Sequence, residues 1–570
     1  MFNPKSPTQL AKLRGAITSS LGEMKDFLNK RLEVYKMFVG RHYKNGTTNR
    51  VPLPLIALAV STILRKLVSS EPQSLVTSRK SENRPSAYAF ELGINRLLMD
   101  MNFGRSMQTW AFEAMMAPMG ILKVALDVEQ VEQFEGMDVW LGKPVADPVL
   151  FDDWVHDMSA RRVDKIGFCG NRYSIVKEDA LTNGLYDEEV VERIQKSDKI
   201  DDHSTQNLSN EKKSSFEDYR EMIELWDIWL PDEGKIVTLS REFDDLPPLR
   251  VVDWTGPKGG PFHLLWFDEV PGNTMPLPPV SLWRDIHELA NLLFNKLARQ
   301  AARQKQLVTV DESSIKDGKL HVAGADGEAI VTNNPQGVKQ ISLGGIDQQQ
   351  LGFVLQLKQL HNYFSGNTEA LAGLGAQSST VGQDELLAAA ASDRVQSMQD
   401  QVDKQTSSAM RAIAQLLLRN PAADIPIIKR VGEIELPGSW NPADLEGDPE
   451  DYDIDLVPHS MRRKAPAERM GITNQLMTSL LAAIPAMQAQ GMMPNMEAYV
   501  KMIARLANMP ELNDLVTYAQ GEMMTNENQI EQPKTTTRQY VRKSQSTKTP
   551  QGMEQDLINQ LMSSGSNNQP

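Results

Sequence analysis

The sequence predicts an α+β chain, predominantly helical, organised in several lobes. Three observations carry that expectation. Residues 280–305 and 383–419 run without Gly or Pro and place apolar residues at three- and four-residue steps, the signature of long amphipathic helices. The β-type signals are short, β-branched runs bounded by turn residues. The chain has 570 residues, more than one hydrophobic core usually serves.

Taken in order, residues 8–37 read as helix with Lys and Arg scattered along it. The segment from Arg41 through Asn45-Gly46-Thr47 to Val51-Pro52 reads as a turn-rich connection, and an amphipathic helix over 55–67 ends at Ser69-Ser70-Glu71-Pro72. Helices follow at 87–102 and 105–117, and Pro118-Met119-Gly120 breaks the second before a strand over 121–127. An acidic stretch, Asp152-Asp153-Trp154-Val155-His156-Asp157, precedes Arg161-Arg162-Val163-Asp164, a strand over 168–176 and a helix over 177–184. Residues 198–217 are polar and charged, a loop or flexible insertion. Strands at 222–230 and 235–239 flank Pro231-Asp232-Glu233-Gly234, a hairpin turn.

Pro278-Pro279 delivers the chain to helix 280–305, whose apolar stripe is Val280, Trp283, Ile286, Leu289/Ala290, Leu293, Leu297 and Ala301. Asp285 and Glu288 sit early and Lys296, Arg299, Arg303 and Lys305 late, as the helix dipole favours. Between 306 and 345 the period changes: strands are expected at 307–310 and 329–332, with turns at Asp317-Gly318 and 324–327. Helical spacing returns over 346–366, then a polar loop with Gln377, Ser378, Ser379 and Thr380, where Thr380 and Gln383 form a capping box. The helix over 383–419 keeps Leu387, Ala391, Val395, Met398, Val402, Ala409, Ile413 and Leu416 on one face until Asn420-Pro421. It would be on the order of 50 Å long at ~1.5 Å per residue. Residues 425–436 are strand-like, 444–455 acidic, and 465–519 helical between Pro485, Gly491 and Pro494. From about 526 the chain is Gln-, Thr-, Ser- and Asn-rich, with basic Lys534, Arg538, Arg542, Lys543 and Lys548, and is expected to be disordered or ordered only in an assembly.

Composition removes several function classes. The net charge of −14 argues against a protein that grips DNA tightly. One cysteine, Cys169, rules out an intramolecular disulfide framework and a multi-cysteine zinc site, and reads as a buried structural thiol. Residues 1–30 hold no secretory h-region, and the longest apolar run, 51–64, contains Pro52 and Pro54 and is short of the ~20 residues that span a bilayer. A soluble protein is expected. There is no Gly-x-x-x-x-Gly-Lys-Ser/Thr loop and no Gly-x-Ser-x-Gly elbow, and His287-Glu288 lacks a zinc helix's second His because Asn291 stands there. No enzyme, cofactor or metal is expected. Asp152, Asp153, His156 and Asp157 read as a solvated turn, with a hard divalent cation as the alternative. Asp451, Asp453 and Asp455 read as the polar face of a strand, with nuclease carboxylates as the alternative.

The order of helix, small β insertion, helix, polar loop and very long helix resembles the portal (head-to-tail connector) proteins of tailed bacteriophages, the short-tailed ones in particular. So do the Tyr43-Lys44-Asn45-Gly46 opening, the Lys123-Val124-Ala125-Leu126-Asp127 strand, and the Glu224-Leu225-Trp226-Asp227-Ile228-Trp229 hairpin closing on Lys235-Ile236-Val237. The resemblance covers roughly the first five hundred residues. It implies a ring-forming subunit with an N-terminal wing (1–279), stem helices (280–305 and 346–366), a clip (306–345) and a tunnel loop region (367–382). A long wing helix with return strands (383–464), a crown (465–525) and a flexible tail (526–570) would complete it. It further implies a dodecamer at one capsid vertex, assembled in the host cytoplasm, that passes double-stranded DNA during packaging and ejection. Its partners would be the terminase large subunit, a tail adaptor or connector protein, and the major capsid and scaffold proteins; no membrane is involved. Lys296, Arg299, Arg303 and Lys358 are candidates for basic positions near the channel, or else ordinary surface charge or inter-subunit ion pairs. Gln377, Ser378, Ser379 and Thr380 would touch DNA from the tunnel loop. A non-enzymatic scaffold or adaptor without a DNA channel is the alternative reading, and a metal-dependent nuclease a third.

Overall fold

The computed structural model describes residues 6–461 apart from 50, 135–136, 183, 196–200, 210–219, 242–245, 326–327, 333–334, 344, 367–380, 421–422, 432–433, 448–450 and 458–459, together with Thr478. Helices α1 (Pro7–Val39) and α2 (Leu55–Leu67) are followed by strand β1 (Ser74–Ser78) and helices α3 (Arg84–Asp100) and α4 (Phe103–Met116). A long hairpin, β2 (Gly120–Phe134) and β3 (Met137–Val149), leads to β4 (Trp154–His156), β5 (Cys169–Val176), and short helices α5 (Lys177–Thr182) and α6 (Glu188–Arg193). Strands β6 (Met222–Leu230), β7 (Lys235–Ser240), β8 (Arg250–Asp253) and β9 (Phe262–Leu265) precede α7 (Ser281–Ala302). Next come β10 (Lys305–Val310), α8 (Ile315–Ala323), β11 (Val338–Leu343), α9 (Gln348–Phe364) and α10 (Val381–Leu418). Strands β12 (Ile425–Val431), β13 (Ile434–Trp440) and β14 (Tyr452–Leu456) follow.

The chain is mixed α/β, about 49% helix and 21% strand with several antiparallel sheets, which corrects the expectation of a predominantly helical protein. The physical reason is that long helices announce themselves locally, whereas many of these strands are short and pair across the sequence. β1 pairs with β14, Ser74 opposite Leu456, and β9 joins the edge of β2, Leu265 opposite Gly120. The largest sheet is antiparallel in the order β4-β5-β6-β7-β8. Its β6 is buried over all but its first residue. Trp226 and Ile228 of β6 belong to the core under α1, while Ile223 and Leu225 close a smaller core with Ala180, Val190 and Val191 of α5 and α6. Asp227, in the middle of β6, accepts from Lys123 Nζ (2.9 Å) and Thr238 Oγ1 (2.7 Å). Burial raises its pKa, but Lys123 and Arg250 outweigh that and hold it below the usual carboxylate range.

α1 serves two cores. Leu10, Ile17, Met24 and Leu28 pack with the five-stranded sheet. Val34 packs with α2, α3, α4 and the second half of α10, where Val402, Ala409, Met410 and Ile413 are buried. At the crossing, Arg31 is only 2% exposed and makes a two-pronged pair with Glu113 of α4, Nε to Oε2 at 3.1 Å and Nη2 to Oε1 at 2.9 Å. The Tyr35 hydroxyl donates to the same carboxylate, and Asp152 lies 3.5 Å from Arg31 Nη2. α4 then turns into β2 through Gly120, where an added Cβ would sit 2.3 Å from the Trp110 carbonyl oxygen.

Removing one partner of a buried pair strands the other charge. Glu113→Ala is therefore expected to cost about 3–5 kcal/mol of stability, read as a lowered urea midpoint. The double substitution Arg31→Met with Glu113→Leu should recover only part of that loss, because Asp152 loses its guanidinium neighbour and the Tyr35 hydroxyl its acceptor.

Candidate functional site

The resemblance places function on the α7-to-α9 region, and here the two helices form an antiparallel pair. Trp283 and His287, near the start of α7, meet His361 near the end of α9, with ring centroids 6.2 and 6.5 Å apart. At the opposite ends β10 and β11 pair from Lys305–Leu343 to Val310–Val338. The strand expected at 329–332 is not one; the partner of 307–310 is β11, and Val331 is 92% exposed. The expected Asp317-Gly318 turn lies inside α8, where Gly318 packs so closely on Val310 that a Cβ would sit 2.3 Å from Val310 Cγ2. Close packing, not turning, explains that glycine. At the base, Arg394 Nη1 of α10 donates to the Phe364 carbonyl at 2.8 Å.

The buried face of α7 departs from its apolar pattern. Trp283, Ala290 and Leu297 are buried as the spacing requires, but so are His287, Asn291 and Asn295, while Leu289 is 41% exposed. The polar trio recurs every four residues, and its two asparagines meet Asn49, Val51 and Leu53. Asn295 Oδ1 accepts from the Val51 N–H (3.1 Å), and Asn291 Oδ1 accepts from the Leu53 N–H (2.6 Å). Between and after those donors stand Pro52 and Pro54, which have no N–H. Both main-chain donors from 51 to 54 are therefore taken by one helix face. Because Asn291 Oδ1 serves Leu53, its Nδ2 faces the His287 carbonyl (2.9 Å), His287 Nε2 (3.2 Å) and the Leu53 carbonyl (3.3 Å). No signal of amphipathicity reveals such a face; the i, i+4 Asn pair opposite Pro-x-Pro is the only trace in the sequence.

The four basic candidates divide. Lys296 and Arg303 are exposed and continue the seven-residue progression Leu282–Leu289, so they share one outward stripe. Arg299, also exposed, lines a groove of about 1020 Å³ between α1, residues 46–51 and α7. Lys358 is exposed on α9. The structure thus brings two of the four onto one stripe and separates the others. The loop residues Gln377, Ser378, Ser379 and Thr380 lie outside the described residues, as do the expected Thr380 cap, the tail 526–570 and, but for Thr478, the crown 465–525.

The acidic clusters resolve into separate contacts. Asp152 accepts from the Thr205 N–H and neighbours Arg31, while Asp153 pairs with Arg172 at 2.8 Å. His156 is buried against Trp154, and Asp157 caps the Ser159 and Gly167 amides. Asp453 pairs with Arg79 (3.1 Å), Asp451 with Lys80 (2.7 Å), and Asp455 with Arg411, opposite buried Tyr452, Ile454 and Leu456. Among the described residues no three His, Cys, Asp or Glu side chains stand where they could hold one metal ion. Cys169 is 3% exposed, and burial pushes its thiol pKa up. The chain matches no protein-family model and no curated protein.

Burial lowers His287 and His361 from 6.5 to about 4, His361 adding to the effect on His287. The unfolded chain takes up these protons as pH falls below about 6.5, the folded chain only near 4, so stability conferred by the neutral pair is lost progressively across that window. Thermal melts at pH 7.5, 6 and 5 should show a falling Tm, and His361→Phe should flatten the fall.

Proposed function

We propose that this chain is the subunit of a portal-type ring, a conduit for double-stranded DNA at one vertex of a phage capsid. The observation that carries the reading is where apolar surface is left uncovered. Sixteen of the twenty-four exposed large apolar side chains among the described residues lie between Leu282 and Phe364, on α7, β10, α8, β11, α9 and the connections between them. Exposed large apolar side chains concentrated in one segment suit a surface that meets other proteins. An antiparallel helix pair with a small tip, uncovered on its flanks, suits a subunit whose neighbours are copies of itself, with twelve copies as the resemblance has it.

In this reading the helix pair is the stem and the tip is the clip, which docks the terminase large subunit during packaging and a tail adaptor afterwards. The capsid and scaffold proteins hold the ring at its vertex. Lys296 and Arg303, on the outward stripe of α7, are the basic positions best placed to approach DNA. A net charge of −14 limits the grip on phosphates, so the sleeve lets DNA slide while a separate ATPase supplies the work. Assembly proceeds in the host cytoplasm and ends in the virion.

Negative-stain electron microscopy with particle mass measurement tests this directly. Closed rings with an axial hole are expected from the purified protein, with scaffold or crowding agent added where needed. A monomer or solid dimer under all of these conditions would remove the conduit and leave an adaptor of some other assembly.

A further inference from the structure

The turn between α1 and α2 holds a dipeptide whose chemistry the fold restrains. Asn45-Gly46 is one of two Asn-Gly pairs in the chain, the other being Asn183-Gly184. Where glycine follows asparagine, no Cβ shields the next main-chain nitrogen from the side-chain amide. That nitrogen can attack the amide carbon. At position 46 nothing but glycine fits, because a Cβ there would stand 2.1 Å from the Gly40 carbonyl oxygen. The turn therefore keeps the reactive pair.

Both reacting groups are occupied. The Gly46 N–H donates to the Tyr43 carbonyl (3.1 Å), and Asn45 Nδ2 donates to the Asn207 carbonyl (2.7 Å). The Asn45 N–H donates to the Leu208 carbonyl (3.1 Å). Residues 201–208, which supply the last two acceptors, form a strap fastened mainly by polar ties. One oxygen of the Asp201 carboxylate takes Arg172 of β5, and the other takes Arg241, just after β7. Asn207 Nδ2 donates to the Asp201 carbonyl (2.6 Å), and the Thr205 N–H to Asp152 Oδ2 (3.2 Å). Leu208, 5% exposed, is the one apolar side chain of the strap. A segment with a single apolar anchor opens at lower free energy than the core beside it.

We propose that Asn45-Gly46 is a modification site controlled by residues 201–208: the strap keeps the pair intact, and deamidation of Asn45 unfastens the strap for good. When the strap lifts, the Asn45 side chain leaves Asn207 and turns onto the Gly46 nitrogen. The bond from that nitrogen to Asn45 Cγ forms and the Cγ–Nδ2 bond breaks. Nδ2 departs as ammonia, carrying the Gly46 amide proton. Asn45 and Gly46 are half-buried, so water reaches the cyclic imide and opens it at either carbonyl, leaving aspartate or isoaspartate. Nothing is oxidised or reduced. Either product bears a carboxylate, which accepts hydrogen bonds and donates none. It meets the Asn207 carbonyl oxygen with repulsion where the amide had a hydrogen bond. Isoaspartate also adds a methylene to the main chain directly before Gly46, Thr47, Thr48 and Asn49, which wall the groove beside α7. The inference goes beyond the ring reading and does not depend on it, since every contact lies within one copy.

The test keeps full-length protein at mildly alkaline pH and reads conversion of each Asn-Gly pair by peptide mass spectrometry. Asn45 is expected to convert at least about tenfold more slowly in the folded chain than in the same chain in urea, because only the opened fraction reacts. Asp201→Ala, which releases both arginines, should raise the Asn45 rate several-fold and leave the Asn183 rate as it was. Thermal melts check that this variant folds; Thr205→Pro, which removes the N–H that Asp152 accepts, serves if it does not. The proposal is overturned if Asn45 converts as fast folded as in urea, or if the folded strap variant leaves its rate unchanged. An equal rise at both pairs overturns it as well. Asn45→Asp supplies one product directly: amide hydrogen exchange over 201–208 should quicken at least about tenfold, and unchanged exchange there would remove the latch.

Discussion

The pair between Arg31 and Glu113 is the joint on which the described chain turns. It sits where α1 leaves the core of the five-stranded sheet and enters the core built by α2, α4 and α10. An apolar contact at that point would let α1 slide along its axis. A two-pronged guanidinium–carboxylate pair, with Tyr35 and Asp152 beside it, fixes one register of α1 against α4 and so aligns the two cores. The Gly120 turn follows directly, because α4 and β2 approach too closely there for any side chain. α10 completes the second core with a long buried face, and its Arg394 holds the end of α9.

Much of this was legible from local pattern. The boundaries of α2 and β6 fall where periodicity and turn chemistry place them, and α1, α7 and α10 begin and end within a few residues of expectation. What was hidden shares a cause: the partner is far away in sequence. β1 is an unremarkable Ser-Leu-Val-Thr-Ser until β14 lies beside it, and β9 is a strand because β2 presents an edge. Residues 329–332 look more strand-like than 338–343, yet the latter pairs with β10. β-propensity describes fit to a pleated surface, and only the fold decides which segment receives one.

The candidate site was legible to a different degree. Charge sorting along α7 located Lys296, Arg299 and Arg303, but not that Arg299 would turn into a groove while the other two share a stripe. The apolar template gave Leu289 or Ala290 for the inner face, of which Ala290 is buried, but it did not show that His287, Asn291 and Asn295 share the interior of α7 with Trp283 and Leu297. Here hydrogen bonding to main chain displaced hydrophobic burial as the organising force, so a pattern built on hydropathy had nothing to detect. The acidic stretches show the converse. They read as a solvated turn and a strand's polar face, with a shared cation as the alternative; the fold distributes the carboxylates among separate cations and caps but buries Asp152 and His156.

The attachment of residues 51–54 to α7 also has a property of phase. Val51-Pro52-Leu53-Pro54 offers its amides at alternate positions, and Asn295 and Asn291 meet them four residues apart on the helix. Interchanging each residue with its proline neighbour, to give Pro-Val-Pro-Leu, would keep composition, hydropathy and extended backbone unchanged. Yet both amides would then stand one position out of step with their acceptors, and two buried asparagines would face imide nitrogens that have nothing to donate. Residues 51–54 are read by the parity of their prolines and hardly at all by their side chains.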